Sequence, residues 1–329
     1  MKHKILIIAG LALFFSVVTY IAHDLFSNSS VKYSKSNPYE YDIQHLNKFD
    51  SVSVSYNENL AFRPQMLEMH GVATDYSDRI YVAGNKFLEI FTKTGNLLKR
   101  IALDGNALCI TIDPDKNILL GMEDRIEILD MDGKLKEKWE PVSQSSIITS
   151  ISSDGKNVFV ADAGLTSVYQ YDISGKLIGH IGDKDPHRGI PGFVVPSPYF
   201  DLGISGINEF WVANPGRHLM EKFDFEGNLI KSWGITSMEI EGFCGCCNPS
   251  HFTILKDGSF VTSEKGIERV KIYTSEGKLK CVVALPQSFK EGTRGLDLCV
   301  DSKDRIIVLD PVKKMVRVFA PNIDSKNNN

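Results

Sequence analysis

The chain has 329 residues, of which 41 are acidic and 37 basic, giving a formal net charge of −4 with histidine neutral. No basic stripe breaks this balance, so nucleic acid is excluded as an expected partner. Beyond the N-terminal segment, the length suits one large all-β domain or two smaller ones.

The first 26 residues open with Lys2 and Lys4 and then run uncharged from Ile5 to Ala22. As a helix this run would span about 27 Å at about 1.5 Å per residue, close to the apolar thickness of a bilayer. A core helix would not be apolar all round behind a basic flank, which leaves a cleaved signal peptide or an uncleaved anchor. Cleavage after Ala22 would put bulky Tyr20 where a small residue is wanted, and no cysteine that could carry lipid follows before Cys109. The expectation is a transmembrane anchor over 1–26, with the chain beyond it outside the cytoplasm, in periplasm or extracellular space. Residues 27–48 read as a polar tether.

From residue 49 to 322 the chain repeats itself. Five segments share one grammar: an alternating strand, a turn with glycine, then Asn or Lys, then Leu, then a second strand. The glycines are Gly95, Gly133, Gly175, Gly227 and Gly277, each preceded at four residues by Phe91, Leu129, Tyr171, Phe223 or Tyr273. Glycine supplies the positive φ of a tight hairpin. Two further strands precede each such pair, as in 145–162, 250–264 and 295–310. Four strands per unit, repeated six times at roughly 40 residues, predict an all-β, six-bladed propeller of four-stranded blades. The sixth unit stops after its third strand, and 323–329 reads as a disordered tail. The alternating stretch 49–58 is expected to supply the missing outer strand and close the ring, since an open seam would expose strand edges.

The stretches VFVADAGLTSVYQYDISGKLIGHIG (158–182) and IIVLDPVKKMVRVF (306–319) resemble NHL-repeat propellers over roughly residues 60–320. The segments GCCNP (245–249) and TSEKGIERVKIY (262–273) are similar to a bacterial, membrane-anchored subgroup of those proteins. The resemblance implies the fold and a scaffold, sensor or, rarely, enzymatic role. The Asp of the usual pattern after strand two is kept as Asp162 and Asp310, whereas Gly84, Asn214 and Glu264 stand near that place in other blades.

In such a ring the first strands line a channel, and the connections from strand four into the next strand one share a face with the loops between strands two and three. His70, Asn106, Ser146, Phe200 and Arg294 lead into first strands and are expected around one mouth. Successive turn glycines are 38, 42, 52 and 50 residues apart, so the two long intervals hold insertions, 182–200 and 234–252, on either side of blade four. Long connections without structure of their own are usually functional or disordered. The first carries Asp183, Asp185, His187 and Arg188, expected to face the second. The second carries Cys244, Cys246, Cys247, Asn248 and His251, half of the chain's six cysteines. Three thiolates and His251 could hold zinc or part of an iron–sulfur cluster. Outside the cytoplasm a disulfide is the ordinary fate, and a bond from Cys244 to Cys247 is easier than one between adjacent Cys246 and Cys247. A reactive thiol pair is the third alternative.

Asn214, Arg217 and His218 could reach a ligand, but Asn-Pro-Gly is first of all turn chemistry. Glu264 and Lys265 read as a solvated pair, and Cys109 and Cys299 as small buried hydrophobes on first strands. No nucleophile elbow, phosphate loop or zinc-protease motif is present, so no catalytic residue is assigned. The first strands offer no evident inward set of His, Asp and Glu for a lyase or lactonase. The expected function is a membrane-tethered module binding another protein or a small ligand on the loop face of blades four and five. A redox or metal protein centred on the cysteine loop, serving electron transfer, is the alternative, and a propeller lyase or lactonase stands third.

Overall fold

The computed structural model describes residues 54–322, together with Ser16 and Thr19. The expected anchor, tether and C-terminal tail lie outside the described residues, apart from those two positions. Among the described residues no helix is long and apolar enough to cross a membrane. Contacts divide the chain into units Met1–His45 and Leu46–Asn329, and the propeller belongs to the second.

Six antiparallel sheets follow one another along the chain, as the repeat predicts. Five have four strands. The first is counted as three because its middle strand, Ile80–Phe91, is 12 residues long. Lys86 turns through the left-handed region at φ 61° within that strand. Ile80–Gly84 pairs with Met69–Thr74, whereas Asn85 and Phe87–Phe91 pair with Leu97–Asn106, so the strand serves as strands two and three of a blade.

The innermost strands are Met69–Thr74, Cys109–Ile112, Ile148–Ser153, Leu202–Ile204, His251–Ile254 and Leu298–Val300. The second strands are largely apolar on both faces, because each blade is sandwiched between two others, and Ile118–Met122 is buried throughout. The third strands are mostly buried too but carry polar residues such as Glu127, Glu221 and Lys271. The fourth strands are mostly exposed, as in Leu135–Trp139, where only Trp139 is buried.

The ring closes through an N-terminal strand, but not the stretch expected. Tyr56–Phe62 pairs antiparallel with Met315–Pro321 as the outer strand of blade six. The expected 49–58 overlaps only its beginning, and residues 49–53 lie outside the described part. The register is set by long-range contacts: Glu58 takes an ion pair from Arg317, which also stands 3.7 Å from Asp310.

The turn glycines do more than bend the chain. A Cβ at Gly277 would meet the Trp233 ring at 2.6 Å, and one at Gly175 would meet Trp139 at 2.5 Å. Each turn therefore lies against the end of the previous blade's fourth strand, and only a residue without a side chain fits there.

Candidate functional site

Both long connections are folded and fastened. Asn214, wholly buried after the second strand of blade four, accepts from Val194 N at 2.9 Å and donates to Gly192 O at 3.2 Å and Glu221 at 3.0 Å. It clamps the first insertion as Asp162 clamps the preceding connection through Ile147 N at 2.9 Å.

The second insertion is read by cations from beneath. Glu264, Arg269 and Lys271 have fully buried side chains, with Arg269 and Lys271 each 2.7 Å from the one carboxylate. Lys271 Nζ also donates to Ile240 O at 2.9 Å and Gly242 O at 2.7 Å, and Tyr273 OH donates to Glu241 O at 3.2 Å. The second positive charge thus finds main-chain carbonyls of the insertion as partners. Burial and the neighbouring Arg269 lower the Lys271 pKa, opposed by Glu264, to about 8. The expected solvated Glu264–Lys265 pair is not formed, because the insertion covers Glu264 and Arg269 and Lys271 take its carboxylate. Lys265 instead donates to Ser197 Oγ at 3.1 Å and lies 4.8 Å over the Tyr199 ring, tying blade five to the first insertion.

The cysteine loop is held at its far end by Asn248, whose side-chain amide donates to Lys265 O at 2.9 Å and accepts from Lys265 N at 2.9 Å. Asn248 N donates to Pro215 O at 3.2 Å, and His218 pairs through Nδ1 with Thr236 Oγ1 at 2.9 Å and through Nε2 with Gly245 O. All six cysteines are free. Cys246 is exposed, Cys247 is buried, and their sulfurs lie 3.3 Å apart. Burial pushes the Cys244 and Cys247 thiols above their ordinary pKa. His251 points elsewhere, and among the described residues no three of His, Cys, Asp and Glu converge as a metal site would need.

His251 belongs to the channel mouth. A funnel of about 580 Å³ opens there, lined by Glu68, His70, Leu108, Ile147, Pro198, Tyr199, His251, Arg294 and Val312 among others. The Tyr199 and His251 rings meet edge to face at 5.7 Å. His251 Nδ1 is buried without a hydrogen-bond partner, and burial pushes the imidazole pKa down to about 4. Burial lowers His70 as well. None of His70, Tyr199, His251 and Arg294 makes a side-chain hydrogen bond or ion pair among the described residues.

Below the mouth the six innermost strands enclose a channel of about 300 Å³. Two carboxyl groups that the sequence reading missed line it. Asp201 Oδ2 accepts from Phe252 N, and Asp297 Oδ2 from Val72 N, both at 2.7 Å, each linking one blade to the next. Burial raises the Asp201 pKa to about 6; burial, then the Asp201 charge, raises that of Asp297 to about 8. The signal was the shared pattern Asp-Leu ahead of two first strands, at 201–202 and 297–298. Cys109 and Cys299 also line the channel.

The mouth gathers His70, His251 and Arg294 of the expected residues, with Asn248 and Lys265 in the wall behind. Asn214 and Glu264 are buried fasteners, not ligand-facing groups. Asn106 sits to one side, donating to Glu123 at 2.9 Å. Arg217 is exposed beside the fastened turn. His187 and Arg188 are exposed, and Arg188 reaches the outer hairpin of blade four at Asn228 Oδ1, 2.7 Å away, rather than the cysteine loop.

No family profile and no curated protein matches the chain. Solved structures match in fold. The WD40 propeller domain of Doa1 is 16% identical, with 78% of this chain and 80% of that one covered at a TM-score of 0.55. A streptogramin B lyase is 11% identical, with coverage of 82% and 98% and a TM-score of 0.57. The virginiamycin B lyase from Staphylococcus aureus is 13% identical, with coverage of 82% and 89% and a TM-score of 0.52. At these identities the likeness is one of architecture: an all-β, six-bladed propeller, a fold that carries both binding modules and lyases.

Proposed function

We propose that the chain is a membrane-tethered binding module whose propeller lies outside the cytoplasm and works through the channel mouth and the loops around blades four and five. One observation carries this reading: the two longest connections are pinned by buried side chains, Asn214 on one and Arg269 with Lys271 on the other. Such fastening gives a binding surface its shape before the ligand arrives, which lowers the ordering cost of association. The apolar run Ile5–Ala22 behind Lys2 and Lys4 supports the tether.

Photo-crosslinking side chains at Pro198 and Val312, on the mouth, should capture the partner or ligand in cells. The same group at Asp115, in a hairpin between first and second strands, should not. Equal capture at the two faces would defeat the proposal. Cys246, the exposed thiol, should also react with a membrane-impermeant maleimide in intact cells; reaction only after lysis would refute the outward topology.

The redox alternative keeps one supporting observation, the 3.3 Å separation of the Cys246 and Cys247 sulfurs. Elemental analysis and thiol counting on anaerobically prepared protein test it. No bound metal, together with no Cys246–Cys247 disulfide after exposure to an oxidant, would remove it.

A further inference from the structure

On the reading that the mouth is a binding surface, we propose that it accepts a small monocarboxylic acid with an apolar body, its carboxylate held by Arg294. The mouth is divided into sectors. Leu108 and Ile147 lead into blades two and three and are apolar, whereas Tyr199, His251 and Arg294 lie just before or at the start of the first strands of blades four, five and six. Pro198 and Val312 add apolar surface on the same rim, and Ile147 and Val312 are 40% and 41% exposed. A ligand seated here covers apolar surface at one end and meets polar groups at the other.

The polar groups are ready for it. His251 presents its ring to the mouth beside Tyr199, while its Nδ1 is buried without a partner. Arg294 carries a permanent charge with no carboxylate paired to it among the described residues. It is near enough to Tyr199 to oppose the rise that burial imposes on the phenol pKa. Arg294 and Tyr199 line the same mouth, and the guanidinium can hold an anionic group there through a two-pronged contact. Lys265 does not compete for that role, because Ser197 and the Tyr199 ring already occupy its ammonium group. Burial lowers the pKa of both imidazoles and so favours their neutral form, which adds no positive charge to that of Arg294.

Glu68 sets the limit on charge. It is the carboxylate in the lining and it sits on the blade-one side. Blade one adjoins blade six in the closed ring, so Glu68 repels each acid group a ligand brings, and a second acid group weakens binding further. The volume of about 580 Å³ lies within the range of small-molecule sites and is too little for a folded partner.

The test uses the full chain in detergent or nanodiscs at fixed ionic strength. The probes are phenylacetate and indole-3-acetate, their neutral amides, phenethylamine and phenylmalonate, each followed by calorimetry and ligand-observed NMR. The acids should bind at least tenfold more tightly than the amides, with phenylmalonate weaker than phenylacetate. Arg294→Gln should abolish the preference for acid over amide without moving the melting temperature, since Arg294 is exposed, and Arg294→Lys should restore part of it. Equal binding of acids and amides, no binding of acids at millimolar concentration, or an unchanged preference in Arg294→Gln would overturn the proposal. If amides or amine bind at the mouth while acids do not, the ligand class falls and the binding module stands. If a ligand binds but no substitution at Tyr199, His251 or Arg294 affects it, both fall.

Discussion

Phe62 and Phe91 pack with ring centroids 4.7 Å apart, and this contact joins the first strand of the propeller's chain to blade one. Phe62 ends the outer strand of blade six, and Phe91 stands four residues before a turn glycine. Trp139 with Tyr171 and Trp233 with Tyr273 repeat the relationship at 5.3 and 5.2 Å across two internal blade boundaries. The seam is thus packed by the same device as the interior of the ring. The aromatic residues of the repeat are one half of an inter-blade clasp, and the turn glycine makes room for the other half.

Phe62→Ala should therefore weaken the whole domain rather than fray one edge. Phe62 is half-buried, so the loss should fall at or below the lower end of the range for buried Phe-to-Ala changes, about 2–3 kcal/mol. Urea unfolding followed by tryptophan fluorescence and by circular dichroism measures it. Coincident transitions shifted to lower urea are expected. An unshifted midpoint would mean that the seam carries no stability.

The buried charge cluster makes a sharper demand. Glu264→Gln would leave Arg269 and Lys271 buried with carbonyl partners but no counter-charge. Removing one member of a buried ion pair costs about 3–5 kcal/mol, whereas exposed pairs contribute about 1 kcal/mol or less. Asp257→Asn, which breaks the exposed pair with Lys280, is the control. The two should differ by more than about 2 kcal/mol in unfolding free energy. Comparable small losses would show that the cluster is hydrated and does not fasten the insertion.

Much of this architecture is legible in the sequence, because a period-two strand ending in a glycine turn survives in five copies. What escaped notice depends on contacts distant in the chain. SVSVSY alternates as well as the residues that form the closing strand, and the register is fixed by distant contacts such as Phe62 against Gly95 and Phe91 and Glu58 against Arg317. Arg269, Lys271 and Tyr273 alternate like a solvent-facing row. They are buried because an insertion some 30 residues earlier folds over them. Asp201 and Asp297 look like ordinary loop acids until six first strands are brought around one axis. The positions of His70 and Arg294 were legible because place relative to a first strand is a local property, whereas His251 was read as a partner of the cysteines and lies at the mouth instead.

Those two aspartates predict a slope of stability with pH. A carboxyl group whose pKa is raised in the folded chain binds its proton more tightly there than when unfolded. Its contribution is greatest at low pH and is lost as pH rises through the folded value. Asp201, raised to about 6, acts at the lower end, where His251, lowered to about 4, has the opposite sign and offsets it. Between pH 6.5 and 8 the raised Asp297, at about 8, dominates, before Lys271 begins to act in the opposite sense. Stability should fall across that interval by on the order of 1–2 kcal/mol. Asp297→Asn gives up one of two accepted hydrogen bonds and lowers the whole curve, but it cannot titrate and should flatten the slope. Unfolding in urea at four pH values checks this. A flat wild-type curve, or an unchanged slope in the variant, would contradict it.

The adjacent thiols should behave unequally. Cys246 is exposed while Cys247 is fully buried beneath the first insertion, where burial raises its pKa. A soluble maleimide should modify Cys246 first, leaving Cys247 unmodified until the chain unfolds. With oxidised glutathione, the Cys246 thiolate attacks one sulfur of the reagent and expels glutathione thiolate, leaving a mixed disulfide. Resolution would require Cys247 to lose its proton and attack Cys246 Sγ, releasing a second glutathione. Burial keeps Cys247 protonated, and the bond formed would join residues whose Cα atoms are about 3.8 Å apart, below the usual disulfide span. The adduct on Cys246 should therefore persist, and intact-mass spectrometry should show one glutathione per chain. Cys246→Ser should remove the adduct with no change in stability, while Cys247→Ser, which places a hydroxyl in a buried thiol's space, should lower stability by about 1 kcal/mol and keep the adduct. A loss of two hydrogens without adduct would instead reveal a vicinal disulfide, and would make the pair a redox centre rather than one protected and one accessible thiol.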